Sequence, residues 1–276
     1  MPSAFDWTSS VAAVCLSLSV VSHGHGAAVF NLLEQLAALD QPQPTRVLLT
    51  LNQAEPWLAA QVRGRTWPFE LVVLENPAPL GFGANHNRAF ACDRRMATRA
   101  DVFAVINPDV TLHGNPFAPL LTALAAPRVG CAYPLQLDAA GTPQDHERRL
   151  PTPTRLLRRV IARALGRQHA EVVSGQSPDW VSAAFLVLRA DAYVSVGGFD
   201  ESYHMYCEDV DLSLRLQLAG WQLRGVPRAV VEHAAQRASH RQPRHLAWHV
   251  RSLLRLWRSP AYASFRRRRL DDGSSL

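Results

Sequence analysis

Residues 14–38 read VCLSLSVVSHGHGAAVFNLLEQLAA. The apolar run Val14–Ser22 predicts a strand, which ends in the glycine-containing turn Ser22–Gly26. Apolar residues then recur at helical spacing over Ala27–Ala38, so a helix follows. A strand, a glycine turn and a helix in this order are typical of an α/β protein with a mostly parallel sheet.

The same alternation continues along the chain. The patterns predict further strands over Arg46–Leu51, Glu70–Leu74, Asp101–Ile106, Val129–Leu137, Trp180–Leu188 and Trp221–Val231. They predict helices around Trp57 and over Gly83–Thr98, Asn115–Ala125, Arg155–Arg167 and Asp209–Ala219. The polar linker that ends at Asp179 is the segment expected to be a mobile loop.

Composition excludes several classes of protein. The chain has 276 residues, of which 47% are hydrophobic and 19% charged, as in ordinary globular domains. The longest apolar run, Val11–Val21, is shorter than the roughly 20 residues that span a bilayer. It has neither a basic flank nor a cleavage site, so we expect a cytoplasmic protein without a secretory signal. The four cysteines lie far apart, which argues against a zinc ribbon or a disulfide framework.

The positive charge of the chain comes from arginine alone. The net charge is +6 and the sequence contains no lysine. One arginine cluster runs from Arg148 to Arg167, and Arg266–Arg269 are consecutive. Because guanidinium groups bind phosphates in a bidentate fork, these clusters favour a polyanionic partner. A nucleic-acid-binding protein is one alternative, although the chain lacks a basic motif interleaved with aromatic residues.

Two segments carry residues suited to chemistry. Asp109 follows a predicted strand in the sequence Asn107-Pro108-Asp109, where a carboxylate can hold Mg²⁺ or Mn²⁺, or can simply make a turn. Glu208, Asp209 and Asp211 begin a predicted helix, whose dipole would stabilise their charges and lower their basicity. They form either an acidic helix start or the site of a general base.

Several segments carry a resemblance through their joint order. They are Ser19–Ser22, Asn76, Leu80–Ala89, Asn107–Val110, Asp179–Phe185, Gly197–Asp211 and His233. In this order they resemble the family-two glycosyltransferases of the GT-A fold, particularly the bacterial branch that includes rhamnosyltransferases acting on polysaccharide precursors.

The resemblance implies an α/β fold with a mostly parallel central sheet flanked by helices and a C-terminal helical extension. The catalytic domain would span residues 1–240, with a nucleotide-sugar-binding half over 1–112 and an acceptor-binding half over 113–240. Residues 241–276 would form the basic amphipathic extension.

The implied activity is that of an inverting, metal-dependent hexosyltransferase. It would move a sugar, with rhamnose as one candidate, from a nucleotide diphosphate sugar to a glycan or polyprenyl-linked acceptor in cell-surface polysaccharide synthesis. By this resemblance Asp209 is the general base, and Glu208 is the alternative base or orients the acceptor. Asp109 and His233 would hold Mg²⁺ or Mn²⁺, although Asn107 stands where many members have another aspartate.

The resemblance also implies binding residues. Those for the donor are Ser22, His23, Asn52, Gly81, Gly83, Asn85, Asn87, Asn107 and Asp109, and those for the acceptor are Trp180, Ser182 and Ala183. Helix capping is the alternative for Asn85 and Asn87, and an interior strand is the alternative for the acceptor stretch. The departures at Ser22, Asn52 and Asn107 leave open a transferase-like protein without activity. A dehydrogenase that binds a dinucleotide is disfavoured, because Gly81 and Gly83 lack the third glycine and the acidic residue of that fingerprint.

The C-terminal segment predicts a basic amphipathic helix. One face carries Leu246, Val250, Leu253, Leu254 and Trp257, while Arg244, Arg251, Arg255 and Arg258 lie on other faces. Pro260 would stop this helix, and Tyr262 and Phe265 would follow as interfacial aromatic residues. The apolar face either packs on the protein, including a second subunit of a homodimer, or docks on the membrane. We expect peripheral association with the inner face of the plasma membrane and no nucleic-acid partner.

Overall fold

Strands and helices alternate through the first half of the chain. The computed structural model describes residues 14–164, 178–234 and 243–272. The first elements are β1 (Leu16–Ser22), α1 (Gly26–Ala37), β2 (Arg46–Leu51), α2 (Pro56–Arg63), β3 (Glu70–Glu75), α3 (Phe82–Asp93), β4 (Val102–Ile106), β5 (Val110–Leu112), α4 (Phe117–Leu124) and β6 (Val129–Leu137). They are followed by β7 (Glu147–Arg148), α5 (Pro153–Ala164), β8 (Trp180–Val181), β9 (Phe185–Arg189), α6 (Ala190–Ser195), α7 (Glu208–Leu218), β10 (Gln222–His233), α8 (Pro243–Arg258) and α9 (Pro260–Asp271).

Eight strands form the central sheet, in the order β3-β2-β1-β4-β9-β6-β10-β5. The strands β3, β2, β1 and β4 are parallel, and β10 is parallel to β6. Strand β9 runs antiparallel to both β4 and β6, and β5 runs antiparallel to β10. The predicted α/β architecture with a mostly parallel sheet is confirmed. The two predicted halves of the catalytic domain both contribute strands to this sheet. The predicted boundary at residue 240, between the catalytic domain and the C-terminal extension, stays a prediction.

Helices cover both faces of the sheet. Alternate residues of β1, β2 and β4 pack with α1, α2 and α4 on one face. Leu48, Phe103 and Val105 point to the other face, where they pack with α3, α6 and α7. Because both faces are buried, β4 is apolar throughout, as expected for the parallel part of an α/β sheet, whereas β1 places Ser17 and Ser19 against polar partners in α3.

The helix predicted over Gly83–Thr98 ends earlier, at Asp93. The Asp93 carboxylate is fully buried, and it accepts hydrogen bonds from Ser17 Oγ at 2.6 Å and Ala100 N at 2.9 Å. It also pairs with the Arg46 guanidinium at 2.5 Å. These contacts hold Asp93 against the sheet, so the helix ends there and a turn follows.

The strand predicted over Trp180–Leu188 is two strands instead. Strand β8 pairs with β7 in a separate two-stranded sheet, whereas β9 lies in the central sheet. Between them the Ser182 backbone N–H donates to His146 O at 2.9 Å, and the Asn107 backbone N–H donates to Ala184 O at 2.8 Å. The small residues between the strands allow this change of sheet. The helix predicted from Arg155 begins at Pro153, and residues 165–177, which include most of the polar linker, lie outside the described residues.

The C-terminal helices pack on α7. Leu256, Tyr262 and Phe265 are buried together with Cys207, Val210 and Leu214, and we call this group the C-terminal cluster. The expectation that Tyr262 and Phe265 are interfacial is therefore wrong, because α9 packs both side chains against α7. Helix α8 does end before Pro260, but Pro260 also begins α9, whose N-cap Ser259 accepts from Tyr262 N at 3.1 Å.

Helix α8 is amphipathic, and its apolar residues have different environments. Leu253 and Trp257 pack against the C-terminal cluster, whereas Leu246, Val250 and Leu254 are exposed by 64%, 48% and 41%. Within the described parts of the chain, none of the helices has the length and apolar character that crossing a membrane requires.

Candidate active site

A cavity of about 320 Å³ brings together residues from distant parts of the chain. Helices α5, α7 and α8 contribute to its walls, together with the ends of β6 and β10. Its walls include five residues predicted for the site: Trp180, Ser182, Glu208, Asp209 and His233. Two of the three predicted acceptor residues therefore share one cavity with the predicted base.

Asp109 and His233 meet because β5 pairs with β10. His233 lies opposite Val110 in the antiparallel register, which places it beside Asp109. The Asp109 Oδ1 atom is 3.4 Å from His233 Nε2, and Asn107 Nδ2 is 3.5 Å from the same nitrogen. Burial by itself would raise the pKa of Asp109, but the hydrogen bond and charge of His233 hold that pKa below its ordinary value. Asp109 is therefore ionised at neutral pH.

Gln144 orients the imidazole of His233. Its Nε2 atom donates to His233 O at 2.6 Å, so its Oε1 atom faces His233 Nδ1 at 3.2 Å. A carbonyl oxygen accepts a hydrogen bond, so Gln144 Oε1 accepts from Nδ1–H of His233. This contact turns the Nε2 atom towards Asp109, which is the nitrogen that would bind a cation in place of its proton.

A cation at this position would need additional ligands. Asp109 and His233 provide one carboxylate and one imidazole, which suit Mn²⁺ or Mg²⁺. Over residues 14–164, 178–234 and 243–272, no group of three or more histidine, cysteine or acidic side chains is arranged to hold a metal ion. The residues fit a cation that is completed by oxygen atoms of a bound substrate.

Glu208 and Asp209 begin α7 after a strained segment. Tyr206 and Cys207 have φ values of +70° and +66°, in the left-handed region that non-glycine residues rarely adopt. Such residues cost about 1–3 kcal/mol each and persist where the surrounding structure enforces them. The segment turns the chain so that both carboxylates face the cavity.

Burial, rather than the helix dipole, dominates the basicity of these carboxylates. Desolvation raises the pKa of Glu208 well above its usual value, and the neighbouring charge of Asp209 raises it further. Burial also raises the pKa of Asp209, but backbone amides, including that of Ala183, and the charge of Arg148 oppose this shift. The expected lowering of basicity is therefore wrong. In this pair the pKa of Glu208 is raised further than that of Asp209, so Asp209 ionises first.

The predicted donor residues of β1 and β2 meet at the carboxyl edge of the sheet. Asn52 N donates to Ser22 O at 2.8 Å, and Asn52 Nδ2 lies 3.2 Å from His23 Nδ1. His23 lines a separate open pocket of about 660 Å³ between α1 and α2. Asn52 is 5% exposed, and its Oδ1 atom accepts from Leu80 N at 2.8 Å.

The predicted donor residues near α3 make contacts within the protein. A Cβ on Gly81 would lie 2.7 Å from His204 O, and a Cβ on Gly83 would lie 2.6 Å from Phe199 Cβ. Asn85 Nδ2 donates to Gly81 O at 3.0 Å, and Asn87 Oδ1 accepts from Phe199 N at 3.0 Å. These contacts join α3 to the turn before α7, and donor contact by these residues stays a prediction.

The acceptor stretch is held by the segment before α5. Trp180 Nε1 donates to Arg149 O at 2.9 Å, and the Arg148 guanidinium lies 5.2 Å from the centre of a Trp180 ring. Trp180 and Ser182 line the cavity, whereas Ala183 is buried beside Asp209.

Comparisons with known proteins agree with this geometry. The profile of the family described as "Glycosyltransferase like family 2" matches residues 13–257. The chain belongs to this family. An N-acetylglucosaminyl-diphospho-decaprenol L-rhamnosyltransferase of Mycobacterium tuberculosis is 33% identical, over 86% of this chain and 82% of the relative. The rhamnosyltransferase WbbL of Escherichia coli K12 is 28% identical, over 86% of this chain and 90% of the relative.

A solved structure supports the fold. The mannosyltransferase of Pyrobaculum calidifontis, determined with GDP-Man and Mn²⁺, has a TM-score of 0.59 and 15% identity. The match covers 98% of this chain and 81% of the mannosyltransferase. The predicted GT-A fold and rhamnosyltransferase branch are confirmed, and so is the prediction that the chain is a glycosyltransferase.

Sequence reasoning missed two glutamines of the glycosyltransferase site. Gln144 orients His233, and Gln136 is a buried residue on the cavity wall. Gln136 is 1% exposed, and neither amide atom of its side chain has a hydrogen-bond partner among the residues described here. The available signal was a glutamine near the end of the otherwise apolar strand Val129–Leu137.

The raised pKa of Glu208 predicts a pH-dependent gain in stability for Glu208→Gln. Below the pKa of the unfolded chain the carboxyl is neutral in both states, so burial carries no electrostatic penalty there. Above that pKa the unfolded state ionises while the folded state resists, so Glu208 destabilises the fold progressively. We expect Glu208→Gln to raise the melting temperature at pH 8 and to raise it less at pH 4. An equal or smaller gain at pH 8 in a thermal melt would contradict the raised pKa.

Proposed function

We propose that this glycosyltransferase moves a sugar from a nucleoside diphosphate sugar to a lipid-linked sugar by a single displacement that inverts the anomeric carbon. The observation that carries the proposal is the cavity that Asp209 and His233 share, with Asp109 next to His233. In this arrangement Asp209 can accept a proton, while Asp109 lies apart from it and is suited to act at the leaving diphosphate. The names of the two rhamnosyltransferase relatives support rhamnose as the sugar, and the name of the Mycobacterium tuberculosis relative supports a polyprenyl diphosphate glycan as the acceptor.

Asp209 is the proposed general base. The attacking hydroxyl loses its proton as the new bond forms, so the base needs position and an available charge. Asp209 lines the cavity, and backbone amides and Arg148 favour its ionised form relative to Glu208. Glu208, which is protonated in the pair, can donate a hydrogen bond that orients the acceptor. No covalent enzyme intermediate is needed.

Release of nucleoside diphosphate tests the function. We expect the purified protein to release it from one of a panel of nucleotide sugars only when a polyprenyl diphosphate glycan is present. Asp209→Asn should lower turnover by about 10² to 10⁴ with little change in donor KM, since a general base contributes this much. Asp211→Asn is the matched control, because Asp211 begins the same helix but pairs with Arg215 at 2.6 Å. Wild-type turnover in Asp209→Asn would contradict the assignment.

Asp109 and His233 are the proposed residues for a divalent cation. When bound there, the cation supplies positive charge that stabilises the leaving diphosphate. The protein provides an ionised carboxylate and an imidazole nitrogen, and the diphosphate provides further oxygen ligands. Binding of the cation should therefore be weak without the donor.

Substitution of Gln144 tests a residue that orients His233 but does not itself bind the cation. We expect Asp109→Asn and His233→Gln to abolish activation by Mn²⁺, and Gln144→Leu to weaken Mn²⁺ affinity by about 10- to 100-fold, as loss of a supporting partner does. His113→Gln is the control, because His113 faces Glu232 at 3.7 Å on the same strand pair. Titration of Mn²⁺ in the presence of nucleoside diphosphate measures the affinities. Full activity in excess chelator would show that the cation is not required.

Gln136 is a proposed contact to a sugar hydroxyl. A buried amide without partners is unfavourable in the empty cavity, and a hydroxyl can both donate to it and accept from it. Thr50 provides a matched comparison, because its buried Oγ1 atom also lacks a partner among the described residues but lies in β2, outside the cavity.

We expect Gln136→Leu and Thr50→Val both to keep or raise the melting temperature, because each removes an unsatisfied polar group. Only Gln136→Leu should lower kcat/KM, by about tenfold for one lost hydrogen bond. Separate KM values for donor and acceptor would show which sugar is bound. Unchanged kcat/KM in Gln136→Leu would exclude this contact.

Membrane association through α8 is the proposed route to a lipid-linked acceptor. The exposed residues Leu246, Val250 and Leu254 form one stripe, and the arginines of α8 lie along one side of it. Each arginine near an anionic leaflet contributes about 1 kcal/mol, and the apolar stripe adds burial in the interface.

Substitutions in the stripe test membrane docking better than truncation before α8, because truncation would also remove Leu256 from the C-terminal cluster. We expect glutamine at positions 246, 250 and 254 to reduce co-sedimentation with vesicles of phosphatidylglycerol at low salt. Val194→Gln, which replaces an exposed apolar residue of α6, should sediment like the wild type. Equal recovery of the triple variant and the wild type would contradict docking through α8.

A further inference from the structure

The segment before the proposed base has a strained backbone. Tyr206 and Cys207 are the two non-glycine residues with positive φ in the described part of the chain, and they are adjacent. They directly precede Glu208 and Asp209. A strained conformation persists only where neighbouring contacts hold it, so those contacts determine where the carboxylates lie.

Helix α8 supplies these contacts from one of its faces. The Tyr206 hydroxyl is 2.9 Å from His245 Nδ1, and the Tyr206 ring lies 5.0 Å from the His249 ring. One helical turn further on, the Ser252 hydroxyl donates to Met205 O at 2.8 Å. His245, His249 and Ser252 are spaced at i, i+4 and i+7, so a single helix face holds residues 205–206.

The position of α8 is itself fixed by packing. Leu256, on the same face, is fully buried in the C-terminal cluster beside Cys207 and Val210. Trp257 Nε1 also donates to Pro151 O at 2.8 Å, which ties α8 to the segment before α5. The strained segment is thus held between α7, which follows it, and a helix that is anchored independently.

We propose that Tyr206 and His245 are positioning residues for the general base. The hydrogen bond between them keeps Tyr206 in its left-handed conformation, and this conformation aims Asp209 into the cavity. The inference rests on the proposed function of Asp209. It assigns a catalytic requirement to the C-terminal helix, which lies about 40 residues after the base in the sequence.

Four substitutions test this inference. Tyr206→Phe removes the hydroxyl but keeps the ring, and His245→Leu removes the partner. His245→Asn restores a hydrogen-bonding atom near the position of Nδ1. Tyr203→Phe is the matched control, because the Tyr203 hydroxyl is buried in the same segment without a hydrogen-bond partner among the described residues.

We expect Tyr206→Phe and His245→Leu each to lower kcat by about tenfold, with donor and acceptor KM unchanged. The double variant should lose no more than the larger single loss, because both changes break one interaction. His245→Asn should recover most of the activity, and Tyr203→Phe should stay within about twofold of the wild type.

Three results would overturn the inference. They are kcat within about twofold of the wild type in His245→Leu, independent losses that multiply in the double variant, and a raised acceptor KM with unchanged kcat in Tyr206→Phe. The last result would make Tyr206 a substrate ligand. Asp209→Asn, measured in parallel, separates the two proposals. If Asp209→Asn is inactive and His245→Leu is normal, only the positioning role fails, whereas an active Asp209→Asn removes the base itself.

Discussion

Strand β9 is the constraint on which the arrangement of the site depends. It pairs antiparallel with β4 on one side and with β6 on the other, and so joins the parallel strands β1 to β4 to the second part of the sheet. Its register places Phe185 opposite Ile106, and the Asn107 amide bonds to Ala184 O at 2.8 Å. This pairing brings the end of β4, where Asp109 follows, next to the segment that contains Trp180 and Ser182. Without it, the two groups of motif residues would belong to separate surfaces.

The site divides its charges between two environments. Asp109 is kept ionised by His233, while burial favours the protonated form of Glu208 and leaves the charge of the pair on Asp209. In the proposed function the two carboxylates have different tasks: Asp209 lines the cavity and accepts the proton of the attacking hydroxyl, and Asp109, beside the cavity residue His233, acts at the leaving diphosphate. The difference arises from desolvation and from specific partners, since the side chains are chemically alike.

The C-terminal helices belong to the architecture of this site. One face of α8 holds the strained residues before the carboxylates, and α9 closes the C-terminal cluster behind them. The stripe of Leu246, Val250 and Leu254 on another side of α8 stays exposed. In the proposed function, the exposed stripe of this helix binds the lipid surface while its packed face maintains the geometry of the cavity. The strain at Tyr206 and Cys207 is stable in this setting because packing on both sides compensates for it.

The sequence by itself determined the order of the elements and the family of this protein. Apolar periodicity and glycine turns are local properties, so most helices and strands of the first half lie within a few residues of their predicted bounds. The ordered motifs likewise identified Asp109, Asp209 and His233. Tertiary structure alone decided that Asp109 and His233 are in contact, because this contact depends on the pairing of β5 with β10. It also decided that Tyr262 and Phe265 are buried, that desolvation outweighs the helix dipole at Glu208, and that Gln136 and Gln144 belong to the site. Each of these results depends on neighbours that are distant in the chain, and no local pattern records them.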